Sequence, residues 1–124
     1  MATQQLAAYT TITLPAGADL SAAQFKFVKL SAGTVVLGAA GNDCIGVLLN
    51  KPASGEAAEV QIAGITKVQA DVALATSGTK VMCSADGQAA VATSTNHVLG
   101  RTISTAAAAG ELVEVLLTSS SILA

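Results

Sequence analysis

Few side chains in this sequence could carry catalysis, and only one of them is a histidine. Any Ser-His-Asp arrangement would need His97, with Asp71 or Asp86 as the acid that orients its imidazole. No serine lies in the Gly-x-Ser-x-Gly pattern that presents a hydrolase nucleophile. His97 follows a run of Thr, Ser and Asn, which is typical of a loop. We therefore predict that the chain has no catalytic residues and is not an enzyme.

Two acidic pairs could bind a divalent cation if they faced each other. Glu56 and Glu59 in the first half of the chain are matched by Glu111 and Glu114 in the second half, and hard cations prefer carboxylate oxygens as ligands. A glutamate on a turn or on the outer face of a strand also improves solubility and protects a sheet edge. This simpler interpretation is preferred, so we predict no metal site and no cofactor.

The two cysteines, Cys44 and Cys83, are far apart in the chain and have no neighbouring ligand residues. A single pair of this kind forms neither a disulfide framework nor a zinc site. Cys44 is predicted to open a strand and Cys83 to end one. We expect both to be free, buried thiols that pack as small apolar side chains.

The composition limits how the chain interacts with its surroundings. Only 11% of its residues are charged, against about 25% in an ordinary soluble domain, so we infer that other protein covers part of the surface. The six basic residues are scattered, whereas nucleic-acid binding needs a basic stripe. No segment is apolar enough to span a membrane, and the N-terminus lacks the basic start of a signal peptide. The sequence predicts synthesis in the cytoplasm and neither a nucleic-acid nor a membrane partner.

Two similar segments, residues 45–62 and 99–116, indicate a duplicated β-unit. Each has a glycine one residue into its first strand, and each ends with the pattern Gly-Glu-x-x-Glu-Val, which begins at Gly55 and again at Gly110. A second match joins the Gly-Thr-x-Val segments that begin at Gly33 and Gly78. The interval between the Gly-Glu pairs is longer than the interval between the Gly-Thr segments. Together, these matches predict ten extra residues in the second unit.

Strand patterns connect the two units into one all-β domain. Apolar or alternating runs predict the strands 10–14, 24–30, 34–37, 44–49 and 58–63, then 65–72, 80–83, 88–92, 98–104 and 112–117. Gly46 and Gly100 lie inside strands, so they predict a bulge or a close approach of two backbones. We predict a small β-barrel or sandwich built from two related β-units, with an extended N-terminal arm. The predicted boundaries are 1–14 for the arm, 15–118 for the domain and 119–124 for a C-terminal tail.

The pattern of turns resembles that of small capsid decoration proteins of tailed bacteriophages. The likeness covers about residues 20–117 and is carried by Gly46, Gly55-Glu56, Gly64, Gly78, Asp86-Gly87, Gly100 and Gly110-Glu111. Members of that family are compact β-barrels that bind the outside of an expanded icosahedral shell, commonly as trimers, and stabilise it. The resemblance implies a structural virion protein on the outer capsid surface, made in the host cytoplasm. Its implied partners are the major capsid protein and further copies of itself in a homo-trimer.

The resemblance also implies that the N-terminal segment is the capsid-contacting arm. Residues 1–8 are uncharged and weakly patterned, which is typical of a segment that becomes ordered on a partner. The candidate capsid-contact residues are Gln4, Gln5, Leu6 and Tyr9. The alternative is a surface-displayed binding module that presents a loop, such as residues 93–97, to a host glycan or protein. The scarcity of aromatic residues argues against sugar stacking there.

Overall fold

The computed structural model describes residues 11–123, apart from the side chains of Ser119 and Ser120. This part of the chain forms ten β-strands and no helix that could cross a membrane. The first half contains β1 (Thr11–Pro15), β2 (Phe27–Ser31), β3 (Thr34–Leu37), β4 (Gly46–Leu48) and β5 (Ala57–Gln61). The second half contains β6 (Gly64–Gln69), β7 (Lys80–Cys83), β8 (Ala89–Val91), β9 (His97–Thr102) and β10 (Leu112–Ile122). The predicted all-β class is confirmed.

The two halves have the same sheet topology. The first sheet has the strand order β1-β5-β4-β2-β3, and the second has the order β6-β10-β9-β7-β8. Each strand of the second sheet therefore occupies the place of the strand five positions earlier in the chain. The parallel bridge between Ala16 and Val35 is likewise repeated between Ala70 and Ala89. The prediction of two related β-units is confirmed, although neither sheet closes into a barrel.

Equivalent positions in the two units are separated by a nearly constant stretch of chain. For example, Val28 pairs with Gly46 in the first sheet as Val81 pairs with Gly100 in the second. The number of residues between equivalent positions stays the same, to within a residue or two, for every strand pair from β2 and β7 to β5 and β10. The predicted insertion of ten residues in the second unit is therefore wrong.

The match that led to the predicted insertion compared two strands that are not equivalent. The Gly33 segment precedes β3, whereas the Gly78 segment precedes β7, which is the equivalent of β2. Both glycines have positive φ angles, 82° and 80°. A tight turn with such a backbone favours glycine wherever it occurs, so local turn chemistry produced the similarity.

Each unit has its own hydrophobic core, and the second core also holds residues of the first unit. The first core includes Leu20, Val28, Val35, Leu48 and Val60, and the second includes Val68, Leu74, Val81, Val113 and Val115. Phe27, Cys44 and Val47 come from the first unit but belong to the second core. Separating the units would expose these buried side chains to water, so the hydrophobic effect holds the two units together.

Gly46 and Gly100 are the points at which two backbones approach closely. A Cβ atom at Gly46 would collide with the carbonyl oxygen of Gln61, and one at Gly100 would lie 2.5 Å from the carbonyl oxygen of Leu116. Cβ atoms essentially never come within 3.0 Å of another heavy atom in this way. The predicted close approach is therefore confirmed at the same place in both units.

The described chain begins in a strand and ends one residue after a strand. Residues 11–14 of the predicted arm belong to β1, which pairs with β5 from Thr11–Gln61 to Pro15–Ala57. Residues 119–122 of the predicted tail belong to β10. Residues 1–10 lie outside the described residues, and the division into arm, domain and tail stays a prediction.

Candidate functional site

The residues predicted to contact the capsid, Gln4, Gln5, Leu6 and Tyr9, lie outside the described residues. Their role therefore stays a prediction. The described chain begins at Thr11, which lies in β1 at one edge of the first sheet.

His97 begins β9 and is half-buried, so it lies in a strand and not in a loop. Its Nδ1 atom lies 3.1 Å from the carbonyl oxygen of Gly41, and its backbone N–H donates to the same oxygen at 3.3 Å. A ring N–H at Nδ1 fits this geometry, since the carbonyl can only accept. Among the described residues, no hydrogen bond joins His97 to Asp71 or Asp86. His97 instead links β9 to the loop around Gly41.

The four glutamates of the acidic pairs do not come together. Glu56 Oε1 accepts a hydrogen bond from the backbone N–H of Ala53 at 2.7 Å, and Glu111 Oε1 accepts one from that of Ala107 at 2.9 Å. Each of these glutamates closes the turn of its own unit. Within residues 11–123, no group of three or more His, Cys, Asp or Glu side chains is placed to hold a metal ion.

Cys44 and Cys83 are free and buried, as predicted, and they are also adjacent. Cys44 belongs to the first unit and Cys83 ends β7 of the second, so the thiols meet between the units. Two effects contribute most to the raised pKa of the Cys44 thiol: the larger is a hydrogen bond with the Cys83 thiol, and the smaller is burial away from water. The same hydrogen bond lowers the pKa of Cys83. A Cβ atom at Gly38 would lie 2.6 Å from one sulfur and 2.7 Å from the other, so glycine there makes room for both.

One cross-strand row on the outer face of the second sheet consists of four exposed side chains, which we call the exposed row: Ile65, Leu116, Arg101 and Lys80. They come from four neighbouring strands, since Ile65 pairs with Leu116, Leu116 with Arg101, and Arg101 with Lys80. Directly opposed residues on paired strands share a face of the sheet. Ile65 is 53% exposed and Leu116 is 40% exposed. The exposed row is thus aliphatic at one end and cationic at the other.

A groove of about 590 Å³ adjoins the cationic end of the exposed row. A change of register between β10 and β9 shapes it, because Leu117 pairs with Gly100 while Ser121 pairs with Val98. Four steps along β10 therefore match only two along β9, and such a bulge bends a strand and re-aims its side chains. The residues that line the groove are Lys80, Val98, Arg101, Thr118, Ser121, Ile122 and Leu123.

The sequence pattern does not single out Lys80 and Arg101. They are well separated in the chain and belong to a scattered set of basic residues. An alignment of the two units with a nearly constant number of residues between equivalent positions could have found them. It places Lys80 at the position of Phe27 and Arg101 at the position of Val47, so two cations stand where the first unit has two apolar residues. Only the strand register shows that the two cations lie opposite each other.

Comparison with known proteins gives the family. The family model of the phage cement protein matches residues 6–117, which is most of the chain. A similar fold occurs in the N base of head fiber gp8.5 of bacteriophage phi29, with a TM-score of 0.71 and 17% identity over 92% of this chain and 98% of that chain. At this identity the likeness shows the fold alone, and no curated protein matches. This chain therefore belongs to the phage cement protein family and is a structural protein associated with the phage capsid.

Proposed function

We propose that this chain binds the outer surface of an icosahedral phage capsid as a homo-trimer and stabilises the shell by contacting the major capsid protein. The observation that carries the proposal is the family match over residues 6–117. The surface is consistent with it, because a chain with 11% charged residues and several exposed aliphatic side chains suits partial coverage by other proteins.

The physical basis of stabilisation is selective binding to the assembled shell. A protein that binds the assembled state and not the dissociated subunits stabilises assembly by mass action, by about 2.7 kcal/mol at a concentration 100 times its dissociation constant. In a trimer, three weak contacts act together, because the first contact raises the effective concentration of the other two. Small individual contacts are then sufficient.

The N-terminal segment is proposed as one of these contacts. Gln4 and Gln5 each offer donors and an acceptor for hydrogen bonds across a wet interface. Leu6 and Tyr9 offer apolar area, and the hydroxyl of Tyr9 can also find a polar partner. This mixture suits a protein surface better than a nucleic acid, since it contains no cation.

Cosedimentation with undecorated capsids tests this proposal. We expect the full chain to pellet with the capsids, and a variant that lacks residues 1–10 to bind at least tenfold more weakly. The truncation must stop at residue 10, because a cut at 14 would also remove most of β1. A finer variant carries Gln4→Ala, Gln5→Ala, Leu6→Ala and Tyr9→Ala. Failure of the full chain to bind would refute the function, whereas equal binding by the truncated chain would refute only the role of the arm.

Two further measurements test the oligomer and the effect on the shell. Light scattering should give a mass about three times that of the 12.2 kDa chain. Decorated capsids should break at a higher temperature than undecorated ones. The alternative function stays a prediction, and a glycan array that gave specific binding without any affinity for capsids would favour it.

A further inference from the structure

The exposed row of the second unit has an equivalent row of four residues in the first unit. Two of those four side chains are buried against the second unit. The equivalent residues form the same cross-strand row, in the order Thr11, Gln61, Val47 and Phe27. Val47 and Phe27 are fully buried because they pack into the core of the second unit. In this fold, the row is therefore a position against which another protein unit can pack.

The second unit places exposed residues at the same two register positions. Lys80 stands where Phe27 stands in the first unit, and Arg101 stands where Val47 stands. The aliphatic end of the row is also open, since Ile65 and Leu116 are about half exposed. A sheet face that only needed protection from aggregation would be best served by charges. Two aliphatic side chains in line with two cations instead indicate a surface for binding.

The electrostatics of the row favour a negatively charged partner. Like charges directly opposite each other destabilise a sheet, yet Lys80 lies opposite Arg101. Elsewhere on the same sheet, the chain places opposite charges together, as in the pairing of Lys67 with Glu114. Two of only six basic residues are thus held side by side in the register, and a bound anion would offset their repulsion.

The groove beside the two cations suits a carboxylate. The guanidinium of Arg101 can bind both oxygens of a carboxylate with parallel hydrogen bonds, and Lys80 adds a compact second charge. Thr118 and Ser121 line the same groove, and their hydroxyls are potential donors of further hydrogen bonds. The four residues come from β7, β9 and β10, so a packed sheet positions them.

We propose that the exposed row and its groove bind an extended acidic segment of a partner protein, with carboxylates at the cationic end and aliphatic side chains over Ile65 and Leu116. Neighbouring strands are about 4.8 Å apart, so four strands span about 14 Å, or four to five extended residues. A short peptide is therefore long enough to fill the row. This inference goes beyond capsid binding and does not depend on it.

An NMR titration of the ¹⁵N-labelled full chain tests the proposal. The probe is an octapeptide of four leucine and valine residues followed by four glutamates, and its matched control has glutamines in place of the glutamates. We expect the acidic peptide to shift the amide signals of Lys80, Arg101 and Leu116 at millimolar concentrations or below. Binding should weaken at least tenfold in 0.5 M NaCl, and the glutamine peptide should bind at least tenfold more weakly.

Matched variants separate this site from general electrostatic attraction. The double variant Lys80→Gln/Arg101→Gln should bind the acidic peptide at least tenfold more weakly, whereas Lys26→Gln/Lys51→Gln, with the same change in net charge, should bind within twofold of the unmodified chain. The first variant should melt no lower than the unmodified chain, because it removes a repulsion.

Six outcomes would overturn the proposal. The first four are no binding at millimolar peptide, equal binding by the glutamine peptide, equal loss in both double variants, and shifts confined to other surfaces. Inorganic phosphate that binds the row as tightly as the peptide would show a simple anion site and not a protein-binding surface. Signals of the row that shift with protein concentration alone would show that a second copy is its occupant.

Discussion

Thr102 is the most informative position for testing how the second unit is stabilised. It lies in β9 and is 1% exposed, and its Oγ1 atom makes two hydrogen bonds to the segment before β7. The hydroxyl donates to the carbonyl of Thr76 at 3.0 Å and accepts from the backbone N–H of Thr79 at 3.0 Å. We predict that Thr102→Val destabilises the chain, because valine has a similar shape but can make neither bond.

The expected magnitude follows from the groups that lose a partner. The carbonyl of Thr76 keeps a hydrogen bond from Thr79 Oγ1 at 2.6 Å, so the main loss falls on the backbone N–H of Thr79. An unsatisfied buried donor costs about 1–3 kcal/mol. Thr79 is half-buried, and water can partly replace the hydroxyl. We therefore expect a loss of about 1–2 kcal/mol in the free energy of unfolding, or roughly 4–8 °C in Tm.

Urea unfolding followed by circular dichroism measures this loss, and Thr66→Val is its control. Thr66 is 6% exposed, but its hydroxyl makes only one marginal contact, at 3.5 Å to the carbonyl of Lys67. The control should lower the free energy of unfolding by less than about 0.5 kcal/mol, because almost no hydrogen bond is lost. If Thr102→Val costs no more than Thr66→Val, the hydroxyl does not stabilise the turn and the reasoning is refuted.

Three further predictions concern the close approach of strands and the contact between units. Gly100→Ala should lower the free energy of unfolding by about 1–3 kcal/mol, because the added methyl group would overpack against the carbonyl of Leu116. An unchanged Tm would contradict this. Phe27→Ala should lower the free energy of unfolding by about 3–5 kcal/mol and keep a single unfolding transition, because Phe27 packs into the core of the other unit. Two separate transitions in calorimetry would contradict this and show that the units unfold independently. The ordinary pKa of a cysteine thiol is 9.0, and the pKa of Cys44 in the folded chain is raised above that value. Above pH 9.0, the unfolded chain therefore loses the proton of Cys44 while the folded chain retains it, so the free energy of unfolding should fall as the pH rises. The slope should approach about 1.4 kcal/mol per pH unit, and urea titrations at pH 8 to 10.5 should show a flatter profile for Cys44→Ala.

Local patterns in the sequence were sufficient to predict the class of fold and its duplication. Side chains alternate between the two faces of a strand, so strands can be recognised from a few consecutive residues. Gly46 and Gly100 were informative for a similar reason, since a glycine inside a strand indicates that another backbone lies close. The family resemblance also rested on such turn and core positions.

Relations between distant residues were not predictable in this way. The Gly33 and Gly78 segments matched by letter but begin non-equivalent strands, because both glycines satisfy the same local requirement for a positive φ angle. The adjacency of Cys44 and Cys83 was also missed. It depends on how one unit packs against the other, and the spacing of the two cysteines carries no information on that packing.

By itself, the sequence determined an all-β chain of two related units with few charges and glycines at the close approaches of strands. The tertiary structure alone decided that Phe27 and Val47 are buried between the units while Lys80 and Arg101, at the same register positions, are exposed. The physical reason is that hydrophobic periodicity is a property of neighbouring residues, whereas strand register and the packing of units depend on contacts between residues far apart in the chain.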